Sequence, residues 1–279
     1  MTVPGMSDHH EDDTSDGRAA LGALAERLAR ASGKLAADGR RRGLQHVETK
    51  STTTDMVTEH DRASEALIVE TLAHERPGDG VLGEEGTSFT GTSGISWVID
   101  PIDGSTNFLY DLAGWSVSVA ATDASGTTVA GAVYLPVTDE MFTAVRGAGA
   151  RLDGRPIAAS DRQHLSTALV GVGFSYLVDR RARQARLVAE LLPRIRDIRQ
   201  FGSAAGHLCL VAAGRLDAFY EEGLNPWDTA AGALIAEEAG ALVTDVDGGP
   251  LNPRRVCAAA PGIAAALVAE PVALGAPLT

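Results

Sequence analysis

Hydrophobic positions recur along the chain in two rhythms, and the change between them predicts two structural halves. In residues 18–30, Leu21, Leu24 and Leu28 fall at helical spacing with alanines between them, which predicts an amphipathic first helix. Gly33, Gly39 and Gly43 then predict a loosening of the chain. Residues 47–61 are rich in Thr, Ser and Asp, side chains that favour turns and caps. Ala66, Leu67, Val69 and Leu72 support a second helix from Asp61 to about Arg76, stopped by Pro77-Gly78. Val81-Leu82 and Trp97-Val98-Ile99 read as short strands that each end in acids, with a flexible link over 91–94 between them. Residues 115–120, 127–135 and 140–145 continue as strands, and Asp153-Gly154 signals a hairpin. Consecutive strands form a meander, so this half predicts an antiparallel or mixed sheet with two helices against it.

Past a change of composition at 160–166 the pattern alternates. Strands are expected over 168–174, 195–201, 216–221, 241–245 and 256–260. Helices are expected over 179–192, 203–213 with Ser203 as cap, 228–239 ended by Gly240, and 263–270. The predicted organisation is an acidic disordered tail (1–16), an N-terminal α+β half (17–160), a C-terminal α/β half (161–270) and a short tail (271–279). No repeat at solenoid period is visible.

Composition narrows the function classes. With 44% hydrophobic and 22% charged residues, the 279-residue chain has an ordinary globular balance, and no apolar run reaches membrane-spanning length. Asp8, Glu11, Asp12, Asp13 and Asp16 with no early Lys or Arg and no apolar core argue against a secretory signal. Cys209 and Cys257 lie far apart in apolar runs, as expected of reduced core thiols in a cytoplasmic protein. Removing the five tail acids from the net charge of −13 still leaves −8, so direct nucleic-acid binding is not expected.

An acidic body also repels anionic substrates, unless some acids bind cations that reverse the local field. The stretch Trp97-Val98-Ile99-Asp100-Pro101-Ile102-Asp103-Gly104-Ser105-Thr106-Asn107-Phe108 offers such acids. Pro101 biases Asp100 toward an extended backbone, so the turn aims Asp100 and Asp103 at one point. Two carboxylates so placed suit a hard divalent cation such as Mg²⁺, although an acidic turn that only caps backbone amides has the same pattern. Gly83-Glu84-Glu85 repeats the strand-then-acid pattern. Asp61 and Asp228 each stand at a helix start, where an acid serves equally as an N-cap or as part of a site. Ala230, Ala231 and Gly232 after Asp228 leave room for close approach to that helix end.

Residues 50–61, Gly83-Glu84-Glu85, the stretch from Asp100 to Phe108 and Trp227-Asp228 through Gly240 together resemble the inositol monophosphatase family, in its order and across nearly all of residues 18–270. The chain is most similar to its bacterial inositol-1-monophosphatases. The resemblance implies a layered αβαβα sandwich, usually a homodimer, with Mg²⁺-dependent and lithium-inhibited activity on a small phosphomonoester. Two to three Mg²⁺ ions per site are implied. Glu84, Asp100 and the carbonyl of Ile102 would hold one, Asp100, Asp103 and Asp228 a second, and Glu84 would help with a third. Asp61 and Ser105 match the pair that orients the attacking water, with Glu84 completing the catalytic set. Ser105 departs from the family's usual Thr, keeping the hydroxyl but not the methyl. Lys50, the amides of Gly104, Ser105 and Thr106, and Asp228 match phosphate contacts. Ser203 and Ala204 match a loop lining the substrate pocket, and Glu221 an acid that reads polyol hydroxyls. Glu221 and Glu222 read without the resemblance as solvated charges after a strand. His207 is expected to be a packed structural residue.

Three activities fit these residues: hydrolysis of inositol 1-phosphate by metal-activated water, hydrolysis of histidinol phosphate on the same scaffold, or a protein-binding role in the RNA-synthesis machinery.

Overall fold

A computed structural model of the chain describes residue 12 and residues 14–43, 47–49 and 56–273. The first half contains α1 (Ser15–Arg42), β1 (Val47–Thr49), β2 (Met56–Thr58), α2 (Glu59–Glu75), β3 (Gly80–Gly83) and β4 (Ser88–Phe89). It continues with β5 (Ser96–Asp103), α3 (Ser105–Leu109), β6 (Ser116–Thr122), β7 (Thr128–Leu135), β8 (Glu140–Val145), β9 (Ala150–Leu152) and β10 (Arg155–Pro156). The second half holds β11 (Leu169–Val172), α4 (Val178–Leu191), β12 (Asp197–Arg199), α5 (Ala204–Ala212) and β13 (Ala218–Glu222). It ends with α6 (Pro226–Glu238), β14 (Leu242–Thr244), β15 (Arg255–Ala259) and α7 (Pro261–Ala273).

Five layers result. An eight-stranded mixed sheet, ordered β10-β9-β8-β7-β6-β5-β3-β4, carries α1 and α2 on one face and α6 on the other. α5 packs beside α6, and both contact a five-stranded sheet ordered β12-β11-β13-β15-β14. α4 and α7 close the outer face of that sheet, where Leu187, Val188 and Leu267 join Val170, Val172 and Ala259 in one core cluster. The layering αβαβα agrees with the expected sandwich. The middle helices are apolar on both sides because each faces a sheet: Leu208, Leu234 and Ile235 sit with Val98, Val133 and Phe142 from the first sheet and Phe219 and Val256 from the second. Both cysteines are free and buried. Among the described residues no helix is long and apolar enough to cross a membrane.

Several expectations need correction. The first helix does not loosen at Gly33 or Gly39 but continues to Arg42. A Cβ at Gly33 would lie 2.5 Å from the Tyr134 ring, and one at Gly39 2.5 Å from the His60 ring, so these glycines admit rings against the helix. Asp61 and Asp228 are not N-caps. Thr58 and Asn225 cap the two helices, and each acid is the third residue of a capping box. Residues 47–49 and 56–58 pair as a short antiparallel ladder inside the segment read as polar loop. The link at 91–94 is tied down, with the Thr92 and Ser93 amides donating to the Gly78 carbonyl at 2.7 and 2.9 Å. Of the acidic tail, Asp12 is described, and it ion-pairs with Arg76 at 2.7 Å. Most of 1–16, Lys50 and residues 274–279 lie outside the described residues. α7 takes in the first three positions of the expected C-terminal tail.

The glycine assignment is testable. Gly33→Val should drive two methyls into Tyr134 and lower stability by about 1–3 kcal/mol in urea unfolding. An unchanged unfolding midpoint would mean that α1 does not sit against Tyr134 as closely as described.

Candidate active site

Two parallel neighbours in the first sheet bring their acids together. β3 pairs with β5 up to Gly83↔Ile99, and the Glu84 amide donates to the Ile99 carbonyl at 3.1 Å, so Glu84, just past β3, stands beside the acid-bearing end of β5. β5 does not stop at Asp100 but runs to Asp103, with its pairing to β6 irregular between those residues. Pro101 has no N–H to contribute to a ladder there. Asp100 Oδ1 accepts from the Ile102 amide at 3.0 Å, and Asp228 Oδ2 accepts from the Asn225 amide at 2.6 Å. One carboxylate oxygen from each of Asp100, Asp103 and Asp228 lies within 4.8 Å of the others.

Burial and mutual repulsion act together on this cluster. Desolvation pushes the Asp100 and Asp228 carboxyls well above the ordinary range, and neighbouring charge on Glu84 and Asp103 adds to the shift. Asp103 is also raised by desolvation, but less, because its Oδ2 accepts from the Ser203 hydroxyl at 2.6 Å and the Ala205 amide at 2.7 Å. Those donors stand at the N-terminus of α5, where the helix dipole favours negative charge. An all-oxygen set whose members repel one another fits a hard divalent cation.

The acids line a cavity of about 580 Å³ together with Ile102, Gly104, Ser105, Thr106, Ala204 and Glu221. Glu221 stands in its wall, its carboxyl raised by desolvation and by Asp103 and Asp228. Gly173 makes space for it, since a Cβ there would fall 1.8 Å from the Glu221 carboxylate. Ser105 Oγ donates to the Ile102 carbonyl at 3.2 Å. Two expected residues stand apart. Asp61 is fully buried outside the cavity lining, with Oδ2 accepting from the Thr58 amide and hydroxyl at 2.8 and 2.6 Å. Ser203 is buried behind the wall, where it supports Asp103 and caps α5.

Two supporting residues, Glu65 and Asn107, escaped the sequence reading, whereas His207 is the packed structural residue expected. The Glu65 carboxylate, one turn along α2 from Asp61, accepts from the Glu85 and Thr87 amides at 2.8 and 3.2 Å and so fixes the turn carrying Glu84. Asn107 donates to the carbonyls of Ala113, Gly114 and Phe201, joining the motif of the first half to the loop before Ser203. Gly114 and Gly202 accommodate it, because a Cβ on either would approach its amide within 3.0 Å. His207 closes the circuit: Nε2 accepts from the Phe201 amide at 3.1 Å, and Nδ1 donates to the Ser203 carbonyl at 2.7 Å. Only the Gly114 and Gly202 positions carry a signal in sequence, as glycines flanking the motif and the cap.

A five-layer sandwich with buried acids converging on one cavity defines a class of small-molecule phosphatases. The chain belongs to the inositol monophosphatase family, whose model matches residues 19–274. It is 48% identical over 234 residues to an inositol-1-monophosphatase of Mycobacterium leprae, covering 80% of each chain. It is 39% identical over 228 residues to the Nus factor SuhB of Escherichia coli K12, covering 81% of this chain and 85% of that one. Among solved structures it matches the Thermotoga maritima IMPase with a TM-score of 0.83 and 33% identity, over 91% of this chain and 97% of the other.

Burial, against the hydrogen bond to Ser203, sets the ionisation of His207, which stacks on Phe219 with ring centroids 4.8 Å apart. Desolvation lowers its pKa to about 4. Above pH 6.5 the imidazole is neutral whether the chain is folded or unfolded; as pH falls, only the unfolded chain takes the proton, until about pH 4. Native stability should therefore decline across that window by up to about 3 kcal/mol from this residue. Urea unfolding across pH should show the slope, and His207→Gln should flatten it; an equally steep profile in the variant would assign the slope to other groups.

Proposed function

We propose that the chain is a Mg²⁺-dependent phosphomonoesterase that hydrolyses inositol 1-phosphate to inositol and phosphate. The observation that carries this is the convergence of Asp100, Asp103 and Asp228 within 4.8 Å in a buried, oxygen-only cluster. Family membership and the relatives named inositol-1-monophosphatase support the substrate.

In this mechanism Glu84, Asp100, the Ile102 carbonyl, Asp103 and Asp228 would hold two to three Mg²⁺ ions. The bound ions would supply a water of lowered pKa and neutralise charge on the phosphoryl group. Asp103 would offer Oδ1, because Oδ2 already accepts from Ser203 and Ala205. Gly104, Ser105 and Thr106 present amides of a first helical turn, which lack intrahelical acceptors and suit phosphate oxygens, with Lys50 as a further phosphate contact. Ser105, whose hydroxyl donates to the Ile102 carbonyl, and Asp61 would be the pair that orients the attacking water. Glu221 would accept hydrogen bonds from substrate hydroxyls, with Ala204 shaping the wall beside it. Lithium inhibition, a homodimer and a cytoplasmic location complete the proposal.

A second reading follows from relatives named Nus factor SuhB at 39–40% identity: a protein contact in the RNA-synthesis machinery. Recovery of transcription proteins with an Asp103→Asn variant from cells would favour it over catalysis as the physiological role.

Phosphate release from inositol 1-phosphate, compared with histidinol phosphate and with Mg²⁺ omitted or Li⁺ added, tests the main proposal. Asp103→Asn and Asp228→Asn should each lower kcat/KM by about a hundredfold at moderate Mg²⁺ by removing a charged ligand. Full turnover by both would sink the two-metal site, and a clear preference for histidinol phosphate would change the substrate.

Glu65→Ala should free the turn bearing Glu84 and raise the Mg²⁺ concentration for half-maximal activity about tenfold or more. Mn²⁺ affinity of the same variant by magnetic resonance checks this without turnover; unchanged affinity would confine Glu65 to structural support.

A further inference from the structure

The cavity wall that carries Glu221 is formed where two parallel strands end, and the ladder between them stops short of it. β11 pairs with β13 as far as Val172↔Tyr220, whereas Gly173 and Glu221, the next residue on each side, line the cavity. On its other side β13 stays paired with β15 through Glu222↔Arg255. Past the ladder a side chain takes over the join to the β11 segment. Gln184 Oε1 accepts from the Ser175 amide at 2.8 Å, and Gln184 Nε2 donates to the Glu222 carbonyl at 3.1 Å. One primary amide thus offers a carbonyl to one segment and an N–H to the other, as the peptide groups of an intervening strand would.

Packing alone would favour an apolar residue at 184. Gln184 is 4% exposed on the inward face of α4, which it shares with Leu191, and Leu187 and Val188 beside it pack into the core of the second sheet. A buried amide is tolerated in such a place when both of its ends are bonded. Gln184 does not itself line the cavity, so it acts there only through the segments it joins. Both of them bear on Glu221. Glu222 is its chain neighbour, and Ser175 lies just past Gly173, where an added Cβ would fall 1.8 Å from the Glu221 carboxylate. The carboxylate therefore lies against one strand end while its backbone belongs to the other, and the separation of the two ends sets its direction. An acceptor that reads hydroxyls must be held to within about 0.5 Å to select among ligands.

We infer that Gln184 is a positioning residue for substrate selection: by bridging Ser175 and Glu222 behind the cavity wall, it holds Glu221 where a polyol ring presents its hydroxyls. This role rests on the phosphomonoesterase activity proposed above and names the residue that maintains its polyol preference.

The test compares inositol 1-phosphate with p-nitrophenyl phosphate, a monoester whose ring has no hydroxyls, on the full-length chain with Mg²⁺. The readout is the ratio of kcat/KM, inositol ester over aryl ester, which a loss of folded protein or of bound metal leaves unmoved. Gln184→Met, similar in length but without the amide, should lower the ratio by about tenfold, through KM for inositol 1-phosphate rather than kcat. Gln184→Asn keeps an amide on a shorter stem; it should fall between, and it replaces the Met variant if that one does not fold. Glu221→Ala should lower the ratio at least as far, and adding the Gln184 substitution to it should change the ratio by less than about twofold, because both act through one carboxylate. A ratio within twofold of native in the Gln184 variants, or a second full loss in the double variant, overturns the positioning role and leaves the phosphatase standing. Hydrolysis of the aryl ester alone by the native chain overturns inositol phosphate as substrate and this role with it. No hydrolysis of either ester overturns the phosphatase, and calorimetric binding of inositol 1-phosphate with Ca²⁺ in place of Mg²⁺ then decides for Gln184. Affinity about tenfold weaker in the Gln184 variant keeps the role, and equal or absent binding overturns it.

Discussion

Like charge gathered in a buried place is the constraint around which the rest of the molecule is arranged. Asp100, Asp103 and Asp228 bring oxygens within 4.8 Å of one another. At an effective dielectric near 20, each ionised pair at that spacing repels by on the order of 3 kcal/mol. Three such pairs approach the whole net stability of an ordinary domain, about 5–15 kcal/mol. The cluster therefore persists only by holding protons, which the upward pKa shifts describe, or by holding a cation. A divalent ion would resolve the repulsion and at the same time reverse the sign of the field in an acidic cavity.

What keeps the acids converged is a set of close approaches built from small residues. Gly232 lets α6 lie against Leu208 and Ala205 of α5, where an added Cβ would meet Leu208 at 2.9 Å. Gly131 lets Ala231 press onto the first sheet, with only 3.0 Å from an added Cβ to the Ala231 backbone. The N-termini of both middle helices are thereby brought to the end of β5. Their amides, Ala205 for Asp103 and Asn225 for Asp228, donate directly to the carboxylates. Helix ends of positive polarity thus meet the acids, so the fold itself offsets part of the charge that the cluster accumulates.

This explains which parts could be read from the chain. The rhythm of the strands from Trp97 to Val145 and the alternation after Ala168 are local, and they yielded the two halves and most of their elements, while the order of the five layers followed only from the family resemblance. The acids of Asp100-Pro101-Ile102-Asp103 are adjacent, so their convergence was visible as a pattern. The third helical position of a capping box and the N-cap itself accept the same residue types, which is why the N-cap alternative for Asp61 and Asp228 could not be set aside from the sequence. Contacts such as Ser203 to Asp103 or Glu65 to the Glu85 amide join residues 100 and 20 positions apart, and nothing in either neighbourhood announces the other. Gly33 and Gly39 misled for the same reason: their partners, Tyr134 and His60, are set by tertiary packing.

The halves visible in the sequence are not independent in the structure. Strands of the first sheet all precede residue 157 and those of the second all follow residue 168, yet the helices between the sheets come from the second half. Val98, Ala120 and Phe142 of the first sheet share one core cluster with Leu208, Leu234 and Ile235. The first half alone would expose that face, and it would also lack Asp228 and the donors that hold Asp103. Separating the halves therefore removes a core layer and one acid of the cluster together. Because the same two helices bury the face and aim the acids, a loss of packing in the middle layer must also shift Asp228 relative to Asp100. The geometry of the acid cluster then depends on cores distant from the cavity as much as on the acids themselves.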